Sequence, residues 1–314
     1  MSKAEEATGP HGVLVVDKPV GPTSHDCVGK ARRKLGTRRV GHAGTLDPMA
    51  SGVLVLLVGE GTKLGPYLTA HHKSYRARVT FGVATDTLDR EGQETASSEI
   101  PAWLSDELAA IARGEAPGPR LAEAFRGELA RTAQIPPAFS AIKIDGRRSY
   151  DRARKGEEIV MPEREVTLRA IAAAGADAAL DHPFLDVDLD VSKGYYVRSF
   201  ARDLGARLGL PSHLGALRRT ASGPFTLDRA VGLDDVQASA LVPVPTAATE
   251  ALAPGRLTDE GAIRAHHGKA LSEADFVLLP PVGEASAWLD SAGRLVAIGT
   301  RQASEFIAHR GFRT

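Results

Sequence analysis

Cysteine occurs once in the 314 residues, as Cys27, so no internal disulfide can form, and no Cys/His cluster has the spacing of a zinc site. No metal is expected. No apolar run reaches the length needed to span a bilayer, and the opening MSKAEEATGPHG lacks the apolar stretch of a signal peptide, so the cytoplasm is the expected location. No period of 20 to 50 residues recurs, which argues against a repeat architecture. The chain also lacks an excess of either charge: 39 Lys/Arg balance 39 Asp/Glu. A zero sum neither supports nor excludes a nucleic-acid partner, because binding depends on where the charge lies. Here it is polarised. Gly12 to Thr80 holds eleven Lys/Arg against four Asp/Glu, and Val231 to Asp290 holds three against nine. What is present, 43% hydrophobic and 25% charged residues with 32 Gly and 19 Pro, is the balance of a folded globular protein.

The first residues, to about His11, read as a flexible tail. GVLVVDKP then reads as a buried strand stopped by Pro19, and Thr23 or Ser24 as the cap of a helix from about His25 to Leu35. That helix carries the densest basic stretch, KARRKLGTRR from Lys30 to Arg39, which is either a solvated face or a phosphate-binding one. A glycine-rich loop, GHAGTLDPMASG, leads into a second buried strand, VLVLLVG, and TKLGPYLTA reads as helical despite its proline. KSYRARVTFGV puts Tyr75, Ala77, Val79, Phe81 and Val83 on one face and Arg76, Arg78 and Thr80 on the other; LDVDLDV alternates Leu185, Val187, Leu189 and Val191 with three aspartates. Such alternation indicates antiparallel sheet. Residues 101 to 127 look helical and surface-like, and TAQIPPAFSAIKIDGRRSY adds prolines, basic residues and an Asp-Gly hairpin turn, as in an excursion from the sheet. RSFARDLGARLG is an amphipathic helix with Phe200, Leu204 and Leu208 at spacings of four. From about residue 250, short strands such as SAWLD and RLVAIG, joined by Ser-Ala-Gly, indicate a small β-rich C-terminal domain. The fold class is thus mixed α/β (α+β), with a largely antiparallel sheet and flanking helices.

Asp47 is the one carboxylate in the glycine- and proline-rich loop. Local pattern favours a plain Asx-turn ahead of Pro48, but a carboxylate in a tightly specified loop also suits nucleophilic or acid–base chemistry. Tyr75 on an apolar strand face reads first as core, His42 as a turn residue and Arg198 as a surface charge at a helix start. His71-His72 and His266-His267 lack ligand spacing and read as surface.

Taken together, GVLVVDKPVGPTSHD, RRVGHAGTLDPMASGVL, KSYRARVTFGVATDTLDREG, QIPPAFSAIKIDGRRSYDRARKGEEI, SKGYYVRSFARDLGARLG and HLGALRRTASGPF resemble, in order, the motifs of the bacterial pseudouridine-55 synthases of the TruB family. The resemblance covers roughly residues 12 to 230. It implies a catalytic domain over 12–245 with a thumb-like insertion at about 101–150 that grips the RNA arm, and a PUA-like RNA-binding domain over 250–314. It also implies Asp47 as the catalytic aspartate, His42 beside the extruded nucleotide, and Tyr75 stacked on the target base. Tyr196 and Arg198 fall on the SKGYYVR motif as catalytic or substrate-binding residues, Leu217 lines the pocket, and Asp86 matches a further family position. Tyr195 stands where the family most often carries threonine.

The implied reaction converts uridine to pseudouridine in the T-arm loop of tRNA, at position 55. It breaks the N1–C1′ bond, turns the base and joins C5 to C1′, so no cofactor is required. Asp47 would act ionised, either attacking C1′ or taking a proton from C2′, and an Arg198 guanidinium paired with it would orient the carboxylate. The uridine must be flipped out of its stack, Tyr75 replacing the lost stacking, while Lys30 to Arg39 with Lys143, Arg147 and Arg148 contact phosphates. The expected partner is the tRNA T-arm stem-loop, and the expected state a monomer. Rival readings are a non-catalytic RNA-binding protein, a synthase acting on ribosomal RNA, and a glycoside hydrolase, the last weakened by the lack of a second loop carboxylate.

Overall fold

The apolar run ended by Pro19 forms β1 (Gly12–Lys18), six of whose seven residues are buried, and it pairs antiparallel with β3 (Ala50–Val58) from Gly12↔Val58 to Lys18↔Gly52. The computed structural model to which these strands belong describes residues 9–140, 143–144, 147–149 and 160–313, with only the backbone of 143–144 and 147–148. Most of the expected flexible tail, 1–8, lies outside the described residues, as do 150–159 of the SYDRARKGEEI motif and the two residues of the Asp-Gly turn. His11, counted with that tail, is tied down: the Glu60 N–H donates to its Nδ1 at 3.1 Å. No helix among the described residues is long and apolar enough to cross a membrane.

The chain forms two compact units, one taking residues through Pro48, Gly52–His71 and everything from Ala221, the other Met49–Ser51 and His72–Thr220. In the first, α1 (Ser24–Lys34) starts where the sequence predicts: the Thr23 hydroxyl accepts from Asp26 N while Asp26 accepts from Thr23 N, a full capping box. A short strand, β2 (Val40–His42), pairs with β3 on the edge away from β1. The helix α2 (Gly65–Ala70) tolerates Pro66 because it lies in the first turn, where a missing N–H costs nothing.

The second unit contains the ladder that the two alternating segments predict. β4 (Lys73–Phe81) pairs antiparallel with β12 (Phe184–Val191), and β12 with β11 (Leu168–Asp177), while β13 (Ser212–Ser222) flanks β4 on the other side. Leu185, Val187, Leu189 and Val191 are buried, and two of the outward aspartates take bidentate bonds from β4: Arg76 to Asp188 and Arg78 to Asp186, all at 2.8–2.9 Å. β4 stops at Phe81 because Gly82 adopts φ +92°, so Val83 opens a separate hairpin, β5 (Val83–Thr85) with β6 (Glu94–Ser97), instead of continuing the strand. The Arg76–Asp188 pair is half exposed, whereas Arg78 is more shielded and covered by the Phe184 ring, whose centroid lies 3.5 Å from its Cζ. Asp188→Asn is therefore expected to cost less than about 1 kcal/mol and Asp186→Asn about 1–2 kcal/mol in urea unfolding. Equal costs would mean that the shielding and the ring contribute nothing.

The surface-like segment after residue 100 conceals an apolar seam. In α3 (Ala102–Ala112) Leu104, Leu108 and Ile111 are buried against β11, and in α4 (Pro119–Leu129) Leu121 and Phe125 are buried, with α4 packing on α5 (Val197–Leu208). Beyond them β7 (Ala133–Gln134) pairs with β10 (Arg164–Glu165), and β8 (Lys143–Ile144) pairs antiparallel with β9 (Arg147–Arg148), as the Asp-Gly turn predicts.

The β-rich C-terminal segment is a five-stranded sheet in the order β17 (Phe276–Leu278), β16 (Ala253–Leu257), β18 (Ala285–Leu289), β19 (Leu295–Gln302), β20 (Glu305–Gly311). Buried Trp288 meets Phe276 edge-on at 5.3 Å on one face of it. Its other face shares a core with the first strands. Ala287, Leu295, Ile298 and Phe312 join Val13, Val15, Val55 and Leu57 through α6 (Val244–Ala251), so a boundary near residue 250 falls inside one compact unit.

Candidate active site

Asp47 lies in the loop between β2 and β3, half-buried, and the residues on either side of it are fixed by buried polar groups. Ser24, at the start of α1, clamps Leu46: its hydroxyl accepts from Leu46 N at 2.8 Å and donates to Leu46 O at 3.0 Å. On the far side, Lys18 is 0% exposed and its ammonium donates to the carbonyls of Pro19 (2.9 Å), Pro22 (2.8 Å) and Pro48 (3.4 Å). Gly21 N also donates to Pro48 O at 2.9 Å. Gly44, at φ +105°, makes the turn that side chains resist. A buried ammonium shared among carbonyls is stable only where the backbone geometry is fixed, so the loop is held on both sides of the carboxylate. His42 ends β2 opposite Leu56 in the same unit.

The other expected residues lie in the second unit. Tyr75, opposite Leu189 in the β4–β12 ladder, continues the apolar stripe of Ala77 and Val79 but is only half-buried, so it is not a core residue. Leu217 is buried on β13. Tyr196 caps α5, and Arg198 in the first turn is 7% exposed, not the surface charge that local pattern favours. The Arg198 guanidinium donates to Thr87 O (3.0 Å) and Phe139 O (2.9 Å) and lies 3.5 Å from Asp89. These partners belong to two loops. In ATDTLDREG, Leu88 takes φ +63°, and the turn is held by Thr85 Oγ1 to Asp89 O and by backbone bonds between Leu88, Arg90 and Leu214. A branched residue in that region is strained, and such strain persists only where surrounding bonds over-determine it. Asp86 accepts from Gln93 N at 2.8 Å and so braces the same hairpin.

The QIPPAF segment is the second loop. Gln134 is 1% exposed and bonds the backbone of Tyr196 through both ends of its amide, Ile135 O accepts from Ser199 and Arg202, and Phe139 O from Arg198. Tyr195 is buried, and burial together with nearby Glu128 pushes its phenol well above the usual range, keeping it neutral.

Lys73, at the start of β4, is buried, and burial, with Arg219 and Lys193 adding, lowers its ammonium to about 8. The unfolded chain, with lysine near 10.5, binds more protons between pH 8 and 10.5, so this group's contribution to stability rises with pH across that window and is fully unfavourable below it. The stability of wild type relative to Lys73→Met is thus expected to increase from pH 7 to pH 10 by thermal unfolding. A constant difference would show that Lys73 titrates normally.

A family model described as TruB family pseudouridylate synthase (N terminal domain) matches residues 32–197, over half the chain, and one described as tRNA pseudouridylate synthase B C-terminal domain matches 198–254. The chain belongs to the TruB family. As a TruB-family protein it is a pseudouridine synthase, an isomerase. Curated relatives named tRNA pseudouridine synthase B are 43% identical over 91% of both chains in Leifsonia xyli subsp. xyli, and 45% identical over 83% of this chain and 86% of the relative in Thermobifida fusca. A solved Cbf5-Nop10-Gar1 complex contains a chain that superposes with TM-score 0.71 at 22% identity, over 97% of this chain and 84% of that one, a likeness of fold. The family models stop at residue 254, so the five-stranded sheet of this TruB chain lies almost wholly beyond them.

Sequence reasoning missed Lys18, Ser24, Gln134 and Asp89. All four sit in quoted motifs, but only the folded loop shows that a lysine and a serine, 29 and 23 positions before Asp47, are its supports. Much of the basic stretch is also already engaged: Lys30 with Asp234, Lys34 with the Asp234 carbonyl, Arg32 with Val40 O and Arg39 with Glu60.

Proposed function

We propose that this enzyme isomerises the uridine at position 55, in the T-arm loop of tRNA, with Asp47 as its catalytic carboxylate. The observation that carries the reading is the loop itself. Buried Ser24 and Lys18 fix the residues before and after Asp47, as expected of a reacting group that must meet its target without reorganising. The names of the curated relatives support tRNA as the substrate.

The reaction breaks N1–C1′, either by attack of the Asp47 carboxylate on C1′ or by loss of a C2′ proton to it. The freed uracil turns, C5 bonds to C1′, the C5 proton leaves to solvent and N1 gains one, so the product has the atoms of the substrate. The uridine is flipped out to be reached. Half-buried Tyr75 offers a ring for the unstacked base, worth on the order of 1–3 kcal/mol. Arg198, desolvated and already fixed by carbonyls of two loops, would orient the Asp47 carboxylate, with Tyr196, His42 and Leu217 shaping the base pocket. The 101–150 insertion and the C-terminal sheet are taken as the surfaces that grip the RNA arm.

Tritium release from C5-labelled uridine tests the substrate. Release is expected from unmodified tRNA transcript and from its isolated T-arm stem-loop, and not from either once the T-loop uridine is replaced by cytidine. Undiminished release after that replacement would move the target elsewhere. The electrostatic part has its own test. Arg33 and Arg38 are the exposed members of the basic stretch for which the described residues give neither an ion pair nor a side-chain hydrogen bond. Arg33→Gln with Arg38→Gln should lower the slope of log affinity against log salt by about 1.5. The side chains of Lys143, Arg147 and Arg148 lie outside the described ones, and their phosphate role is part of the proposal. An unchanged slope would assign binding to other residues.

A further inference from the structure

We infer that Gln134 is a positioning residue: its buried side-chain amide fixes the backbone of Tyr196, and through it the first turn of α5, in the geometry that turnover requires. The inference rests on the proposed role of Tyr196 and Arg198.

Tyr196 is the N-cap of α5, with extended φ −104° and ψ 109°, and its side chain makes no capping bond to the helix. Tyr196 O accepts the first bond of the helix, from Phe200 N at 3.0 Å, whereas the Tyr196 N–H lies outside the intrahelical ladder. Gln134 bonds both groups. Tyr196 N donates to Gln134 Oε1 at 3.0 Å, and Gln134 Nε2 donates to Tyr196 O at 3.4 Å, the pattern of one peptide unit pairing with another, made by a side chain. Only an amide two methylenes from the backbone combines that donor and acceptor at that reach. Gln134 itself is 1% exposed and held on β7, where it pairs with Arg164. Next to it, Ile135 O takes Ser199 Oγ at 2.9 Å and Arg202 at 3.1 Å, and Phe139 O takes Arg198 at 2.9 Å. Gln134 is the first bond of a row along which QIPPAF sets the azimuth of α5, and it acts on Tyr196 itself. Removing it takes the Gln134 acceptor from Tyr196 N and leaves Tyr196 O with its Phe200 bond, which frees the junction to turn.

Two variants separate this from a general packing role. Gln134→Met keeps shape and burial but neither bond. Gln134→Glu keeps the acceptor for Tyr196 N, and only its protonated form donates to Tyr196 O. Among the described residues, the charged groups on the surrounding elements are Arg164 and Glu165 on β10, Arg198, Arg202, Asp203 and Arg207 on α5, and Glu128 and Arg131 at the end of α4. All are present in wild type, so the ratio of variant to wild type isolates residue 134. Single-turnover tritium release and tRNA binding would be measured from pH 5.5 to 8.5, with hydrogen exchange on the peptide containing Tyr196. For Gln134→Met we expect at least tenfold slower turnover at unchanged tRNA affinity, and at least tenfold faster exchange of the Tyr196 amide with β12 amides unaltered. For Gln134→Glu we expect a turnover ratio that approaches one toward pH 5.5 and falls at least tenfold by pH 8.5. Unaltered Tyr196 exchange in Gln134→Met overturns the inference whether or not the wild type is active, and so does wild-type turnover in that variant. A wild type that releases no tritium instead overturns the functional reading, and leaves the exchange result to decide the clamp.

Discussion

Asp47→Asn is expected to remove pseudouridine formation by about 10⁴-fold or more while tRNA affinity changes less than about threefold. An asparagine amide can neither attack C1′ nor take a proton from C2′, and the two routes share that dependence. The loss should fall on turnover because the loop has supports on both sides of the carboxylate. Leu46 is fixed by Ser24, Pro48 by Lys18 and Gly21, and none of these bonds involves the Asp47 side chain. The thermal midpoint is accordingly expected to stay within a few degrees of wild type. Single-turnover kinetics at saturating enzyme separates the two quantities. A rate within tenfold of wild type would mean that another group carries the chemistry.

Lys18→Met should be the most damaging substitution outside the reacting groups. It fills the same space but removes a fully buried ammonium shared by Pro19, Pro22 and Pro48 carbonyls. Each carbonyl left without its donor costs on the order of 1–3 kcal/mol, and Pro48 O keeps only its bond from Gly21 N, so a total of about 2–5 kcal/mol in urea unfolding is expected, with the loop loosened on the side of Asp47. Turnover should fall at least about 100-fold in the fraction that remains folded, because a loop displaced by an ångström misplaces its carboxylate. Stability within 1 kcal/mol of wild type would show that water or a neighbour replaces the ammonium, and that the lysine is not the loop's support.

The strands and helices that alternate or repeat cleanly were legible in the sequence. LDVDLDV gives β12 with all four apolar residues buried, and the Thr23–Asp26 box starts α1 where the pattern predicts. Periodicity could not show where an alternating segment stops. Val83 continues the face of β4 on paper, but Gly82 turns the backbone into the left-handed region and ends the strand. Nor could it show that residues 102–129, with charged residues, glycine and proline scattered throughout, bury Leu104, Leu108, Leu121 and Phe125, because those side chains find their partners on β11 and α5, distant in sequence. The candidate site divides the same way. Asp47, Tyr75, Tyr196 and Arg198 were given roles by the resemblance, whereas their supports, in the same motifs, were not. The supporting contacts of Lys18, Ser24, Gln134 and Asp89 with backbone atoms and loops exist only after folding. Nor does the sequence show that Lys30, Lys34 and Arg39 of the basic stretch have partners within their own unit.

The central claim, an isomerase acting on one uridine of the T-loop, is tested most directly by incubating the purified protein with an unmodified tRNA transcript and mapping pseudouridine nucleotide by nucleotide. A single pseudouridine at position 55, approaching one per tRNA and absent with Asp47→Asn, is the expected result. Tight binding of the transcript with no pseudouridine formed, or with pseudouridine at another position, would contradict it.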